Sequence, residues 1–166
     1  MRRHIRLRHF DYASRNAYFI TACTSEFKHF FGEVRNGIMC LSDIGSFVAV
    51  LIQNIPDTWP TVEVDEFIVM PNHIHCILEI KERPDKEVFN QFGVAVRGSI
   101  SVIINQVKGR VKKWCVQNGY NYFQWQSRFY DRVIRNGRQH HAIKNYIRKN
   151  PAAWWKKYGR IKYWSS

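Results

Sequence analysis

The run from His73 to Ile80 constrains the fold more than any other segment, because its two faces differ in chemistry. Side chains alternate along an extended strand. Ile74, Cys76, Leu78 and Ile80 therefore form one wholly apolar face, and His73, His75, Ile77 and Glu79 form the other. The apolar face needs cover, and the chain supplies two amphipathic helices. Ser42 suits the cap of one whose apolar residues fall at Ile44, Phe47, Val48, Leu51, Ile52 and Ile55, with Pro56 as its stop. A longer one begins near Gly98, with Ile100, Ile103, Ile104, Val107, Val111, Trp114 and Cys115 on one side.

Strand-like runs precede and follow these helices. Residues 17–24 are aromatic and β-branched, 61–70 run into the turn-forming Pro71-Asn72, and 128–134 alternate. Asn36-Gly37 between 31–35 and 38–41 predicts a hairpin with a type I′ turn. The spacing predicts a last helix over 140–150, ending at Pro151, and a polar surface loop over 81–91. Apart from the hairpin, the order is strand, helix, strand, strand, helix, strand. That is an α+β, ferredoxin-like (split βαβ) pattern: an antiparallel sheet with both main helices on one face. The His pair then stands on the opposite, open face, and the last helix is free to cover another part of the sheet. The 166 residues show no linker or repeat and predict a single domain, with a basic arm over 1–15 and a Trp-rich basic tail over 152–166.

Charge points to the partner. The net charge is +13, and residues 88–166 hold sixteen Lys or Arg against one acid, Asp131. Such asymmetry favours a polyanion. Lys108, Arg110, Lys112, Lys113, Arg128, Arg132 and Arg135 are candidate phosphate contacts, as are Arg2, Arg3, Arg6 and Arg8, whose alternative is a frayed terminus. The longest apolar stretch, Phe47 to Ile52, is too short to span a membrane, and the N-terminus lacks an apolar signal core. A cytoplasmic, nucleoid-associated location is expected. Cys23, Cys40, Cys76 and Cys115 form no C-x-x-C pair and read as small buried hydrophobes.

Two imidazoles on one strand face are half of a divalent-metal site, although exposed polar residues are the competing reading. Tyr146 and Asn150, four residues apart, share one face of the last helix and could both reach a phosphate if that helix lay over the His face. Tyr146 also lies among Ala142, Ile143 and Ile147, where a core role fits, and Asn150 before a proline fits a helix end.

The ordered motifs VMPNHIHCIL, WQSRFYDRVIRN and YIRKNP resemble the REP-associated tyrosine transposases, single-tyrosine transposases of the HUH (His-hydrophobic-His) superfamily. The resemblance runs from the YFITACT strand to Pro151. It implies that His73, His75 and Asn150 are ligands of Mg²⁺ or Mn²⁺ and that Tyr146 is the nucleophile. Attack on single-stranded DNA beside a hairpin would give a 5′-phosphotyrosine and a free 3′-hydroxyl. Tyr130 is the rival nucleophile. The resemblance leaves monomer or homodimer open. The alternatives are a non-catalytic nucleic-acid-binding module and an HUH endonuclease for replication or plasmid transfer.

Overall fold

The computed structural model describes residues 10–83 and 96–159. Arg2, Arg3, Arg6 and Arg8, most of the 81–91 loop and the end of the basic tail lie outside the described residues.

Strand β1 (Ala17–Cys23) is followed by the hairpin β2 (Gly32–Arg35) and β3 (Ile38–Leu41), then α1 (Asp43–Gln53) and the single turn α2 (Ile55–Thr58). The hairpin β4 (Val62–Met70) and β5 (His73–Ile80), α3 (Ile100–Gln117), β6 (Tyr130–Ile134) and α4 (Gly137–Tyr158) complete the chain. The main sheet has the order β4-β5-β1-β6, all antiparallel, as the split βαβ pattern requires. Asn36 and Gly37 both take positive φ, 51° and 78°, as a type I′ turn demands.

The apolar face of β5 is buried as its sequence predicts. Ile74, Cys76, Leu78 and Ile80 join Tyr18, Ile20 and Ala22 of β1 against Val48 and Ile52 of α1 and Ile103, Ile104 and Val111 of α3. Ser42 and Ser99 cap these helices by accepting from the amides of Gly45 and Val102. Pro56 does not simply stop α1; α1 ends at Gln53 with Asn54 as its C-cap, and Pro56 opens the next turn, where its missing N–H costs nothing.

Three expectations are corrected. The His face is not open: α4 lies across it, with Ile143 and Ile147 packed on Ile77, Ile134, Phe19 and Ile68. The last helix does not end at Pro151 but starts at Gly137, capped by Asn136, and runs through the proline to Tyr158. A mid-helix proline costs about 3 kcal/mol in isolation, and the turn beyond it is held by Trp154, whose ring meets His29 at 5.5 Å and His73 at 6.0 Å. Of the cysteines only Cys76 and Cys115 are buried; Cys40 is exposed because the β2–β3 ribbon stands outside the main sheet.

A bulge in β4 fixes how α4 docks. The ladder to β5 shifts between Val64 and Glu66, leaving Asp65 as the extra residue. Glu63 pairs with Glu79 before the shift and Glu66 with Ile77 after it, so Asp65 and Glu66 both face α4. Asp65 bonds His140 (2.6 Å) and Lys144 (2.7 Å), and Glu66 bonds Arg148 (2.7 Å). These three bases recur every four residues, forming one stripe on the helix. Burial alone would raise the Asp65 carboxyl, but the bonds from Lys144 and His140 outweigh it and lower its pKa. The Asp65 carboxylate therefore keeps its charge at neutral pH, and its contribution is lost only as pH falls through that lowered pKa. We expect Asp65→Ala to quicken amide exchange in α4 about fivefold, equivalent to about 1 kcal/mol, while exchange in β1 and β5 stays unchanged. Equal acceleration in sheet and helix would refute a local strap.

Candidate active site

Cross-strand register sets the floor of the site. Ile68, His75, Thr21 and Tyr130 form one row across the sheet, and Met70, His73 and Cys23 form the next. The two imidazoles lie 4.6 Å apart, centre to centre. His75 is 5% exposed and stacks on Phe19 at 5.2 Å. Its Nδ1 meets Thr21 Oγ1 at 2.8 Å, which turns Nε2 toward α4.

The His73 ring is oriented by the residue before it. Asn72 Nδ2 donates to the Phe27 carbonyl (3.1 Å), so its Oδ1 faces the imidazole, 2.7 Å from His73 Nδ1. An amide oxygen only accepts. Nδ1 is therefore the protonated nitrogen of neutral His73, and Nε2 carries the lone pair. Burial lowers the His73 pKa to about 4; burial, assisted by His73, lowers that of His75 to about 3. Both rings are neutral near pH 7, the form that a metal ligand requires.

From above, α4 contributes Tyr146, Asn150 and Trp154, a second stripe at four-residue spacing. Tyr146 Oη lies 3.4 Å from His75 Nε2, and its ring meets His75 edge-on at 5.3 Å. That distance is longer than a well-formed hydrogen bond, about 2.8 Å, so it marks proximity with room to move. Tyr146 is 53% exposed, which excludes a core role. Asn150 is buried mid-helix between one residue touching His75 and another touching His73, so it is no helix terminus. Two neutral imidazoles, facing a helix that carries a buried amide one turn from Tyr146, are donor types that fit a divalent cation. We expect Asn72→Ala, which frees the His73 ring, to weaken Mn²⁺ binding 10- to 100-fold; titration within twofold of wild type would refute the positioning role.

Tyr130 is on the same face, but two strands from β5 and thus about 10 Å from the His strand. Arg132 shares that face, one row along, and is exposed. With Arg135, Asn136 and Gln139 it lines a groove of about 350 Å³ beside the start of α4. Arg128 is exposed just before β6.

The basic residues of α3 divide differently from the sequence expectation. Lys108 is buried, and its ammonium donates to the carbonyls of Gln126 (2.6 Å) and Ser127 (3.3 Å), with burial lowering its pKa. Lys112 donates to the carbonyls of Asn121 and Phe123. Both hold the irregular 118–129 segment by donating to its carbonyls. Arg110 and Lys113 are exposed, but on the side of the sheet opposite the His pair.

A further cluster, Asp65, Glu79 and His140, has ligand atoms within 4.8 Å of one another. Lys144 and Lys81 already engage its carboxylates, so it acts as part of the strap that seats α4. Sequence reasoning missed Thr21, Asn72, Trp154 and the Asp65-Glu66 pair. Among the described residues, no helix is long and apolar enough to cross a membrane.

No family model matches the chain. An uncharacterized protein of Haemophilus influenzae is 35% identical over 161 residues, covering 92% of this chain and 89% of that protein. A solved structure of a REP-associated tyrosine transposase bound to a REP hairpin superposes with a TM-score of 0.62 at 18% identity, covering 92% of this chain and 74% of that one. The chain belongs to the family of the Haemophilus influenzae protein and has the fold of the REP-associated tyrosine transposase.

Proposed function

We propose that the chain is a transposase-like enzyme that cleaves and rejoins single-stranded DNA through Tyr146. The observation that carries this is the Tyr146 hydroxyl 3.4 Å from His75 Nε2, over a pair of buried, neutral imidazoles. His73, His75 and Asn150 would hold Mg²⁺ or Mn²⁺, which supplies polarisation of a phosphate oxygen and stabilises charge developing there. Mixed nitrogen and oxygen donors admit both ions.

The residues of the chain divide the remaining work. Tyr146 Oη attacks phosphorus and releases its proton; the bond to the 3′ oxygen breaks, and that oxygen leaves as a 3′-hydroxyl. The product is a 5′-phosphotyrosine, and attack by a second 3′-hydroxyl reverses the step and joins strands. The strap from Asp65 and Glu66 and the apolar seat of Ile147 keep the attacking ring over the imidazoles. Arg128, Arg132 and Arg135, exposed along β6, present positive charge beside that face and suit the strand's phosphates. A foldback hairpin is the substrate form favoured, because the likeness is to a protein solved with a REP hairpin.

The test is a covalent adduct. Wild-type protein, labelled single-stranded hairpin DNA and Mn²⁺ or Mg²⁺ should give a denaturant-resistant protein–DNA band that chelator abolishes. Tight binding without any adduct, in either metal, would make the chain a binding module instead.

A further inference from the structure

Continuation of α4 beyond Pro151 brings Trp154 to the rim of the site, where the proposed reaction assigns it no task. Its indole is half-buried, with His73 at 6.0 Å, His29 at 5.5 Å and Tyr158 at 4.8 Å between ring centres. His29 is exposed, Tyr158 is 41% exposed, and Lys157 Nζ sits 4.9 Å from the Tyr158 ring. A loop of unusual backbone forms the other bank. Glu26 and Phe27 take φ of 53° and 54°, a left-handed conformation that costs non-glycine residues about 1 kcal/mol or more each. That loop is pinned to the site through the bond from Asn72 to the Phe27 carbonyl.

We propose that Trp154, flanked by His29 and Tyr158, is a stacking seat for the unpaired base next to the phosphate held at His73 and His75. The inference rests on the proposed DNA reaction and names the contact that sets where along the strand it occurs. Three aromatic or imidazole faces beside exposed Lys156 and Lys157 match an unpaired nucleotide, which offers a π-face and a negative phosphate together. Stacking is indifferent to base identity, so the seat positions the strand rather than reading its sequence. Trp154 is thus a positioning residue.

The experiment measures equilibrium binding of single-stranded oligonucleotides carrying one abasic position moved stepwise past the cleavage point. With wild-type protein, one position adjacent to the cleaved phosphate should weaken binding about 5- to 100-fold, the range expected for one stacked base. Trp154→Ala should lose a similar factor on intact DNA and be insensitive to that abasic position, while Trp154→Phe keeps most of both. The salt dependence should be the same in all three, because no phosphate contact changes. Additive losses from the abasic position and Trp154→Ala, or no sensitive position in wild type, would overturn the seat; an intact adduct assay in the same preparation would show that the DNA reaction stands without it. Wild-type protein that forms no adduct and binds no single strands would overturn both.

Discussion

Tyr146→Phe is expected to yield no covalent protein–DNA adduct, with strand transfer at background, because under the proposed reaction the variant lacks the atom that would bond to phosphorus. The substitution is otherwise quiet. A phenyl ring retains the edge contacts with His75 and Phe19, and the residue is half in solvent. Stability should move by no more than about 0.5 kcal/mol, as for other exposed positions, and affinity for intact single strands should stay within twofold. Tyr130→Phe is the matched control: Tyr130 lies on the same sheet face, two strands away from β5, and this variant should keep the adduct. The readout is a denaturing gel with 5′-labelled and 3′-labelled hairpins. Retention of the adduct by the Tyr146 variant, or its loss from the Tyr130 variant, would move the nucleophile.

The second large effect concerns the imidazoles. His75→Asn keeps a polar side chain against Thr21 but removes the ring nitrogen facing Tyr146. Metal affinity should fall by on the order of 100-fold or more, exceeding the usual effect of losing a supporting residue, and metal-dependent cleavage should disappear. Direct titration with Mn²⁺, followed by its electron paramagnetic resonance signal, separates ligand loss from a general loss of activity. Unchanged Mn²⁺ affinity in both His73→Asn and His75→Asn would mean that the pair is not a metal site, whatever happens to cleavage.

Most of the scaffold was legible because its determinants are local. The period-two pattern of β5, the Ser caps and the Asn36-Gly37 turn each specify their element within a few residues, and the sheet order follows from their sequence. The motifs also name His73, His75, Tyr146 and Asn150, but the approach of Tyr146 to His75 depends on a helix crossing the sheet, which no local pattern states. Pro151 misled for the same reason: helix-breaking is a local cost, overridden here by contacts of Trp154 with β5 and the 24–31 loop. As helix lysines, Lys108 and Lys112 suit phosphate contacts in the sequence, but they bond to carbonyls of a segment with no pattern of its own. Asn72 looked like a turn residue, and is one, with its amide recruited to orient the next side chain.

The extra residue in β4 has a consequence for recognising related chains. Val62 and Val64 alternate in one phase, Phe67 and Val69 in the other, and the slip falls on the adjacent acids Asp65 and Glu66. A phase slip carrying two acids, a few residues ahead of His-x-His, is thus a written record of where the final helix will be gripped. Its counterpart is written far downstream, as bases at positions 140, 144 and 148. Chains with the His pair but neither half of this record would have to seat the tyrosine by other means, and the two halves should be gained and lost together.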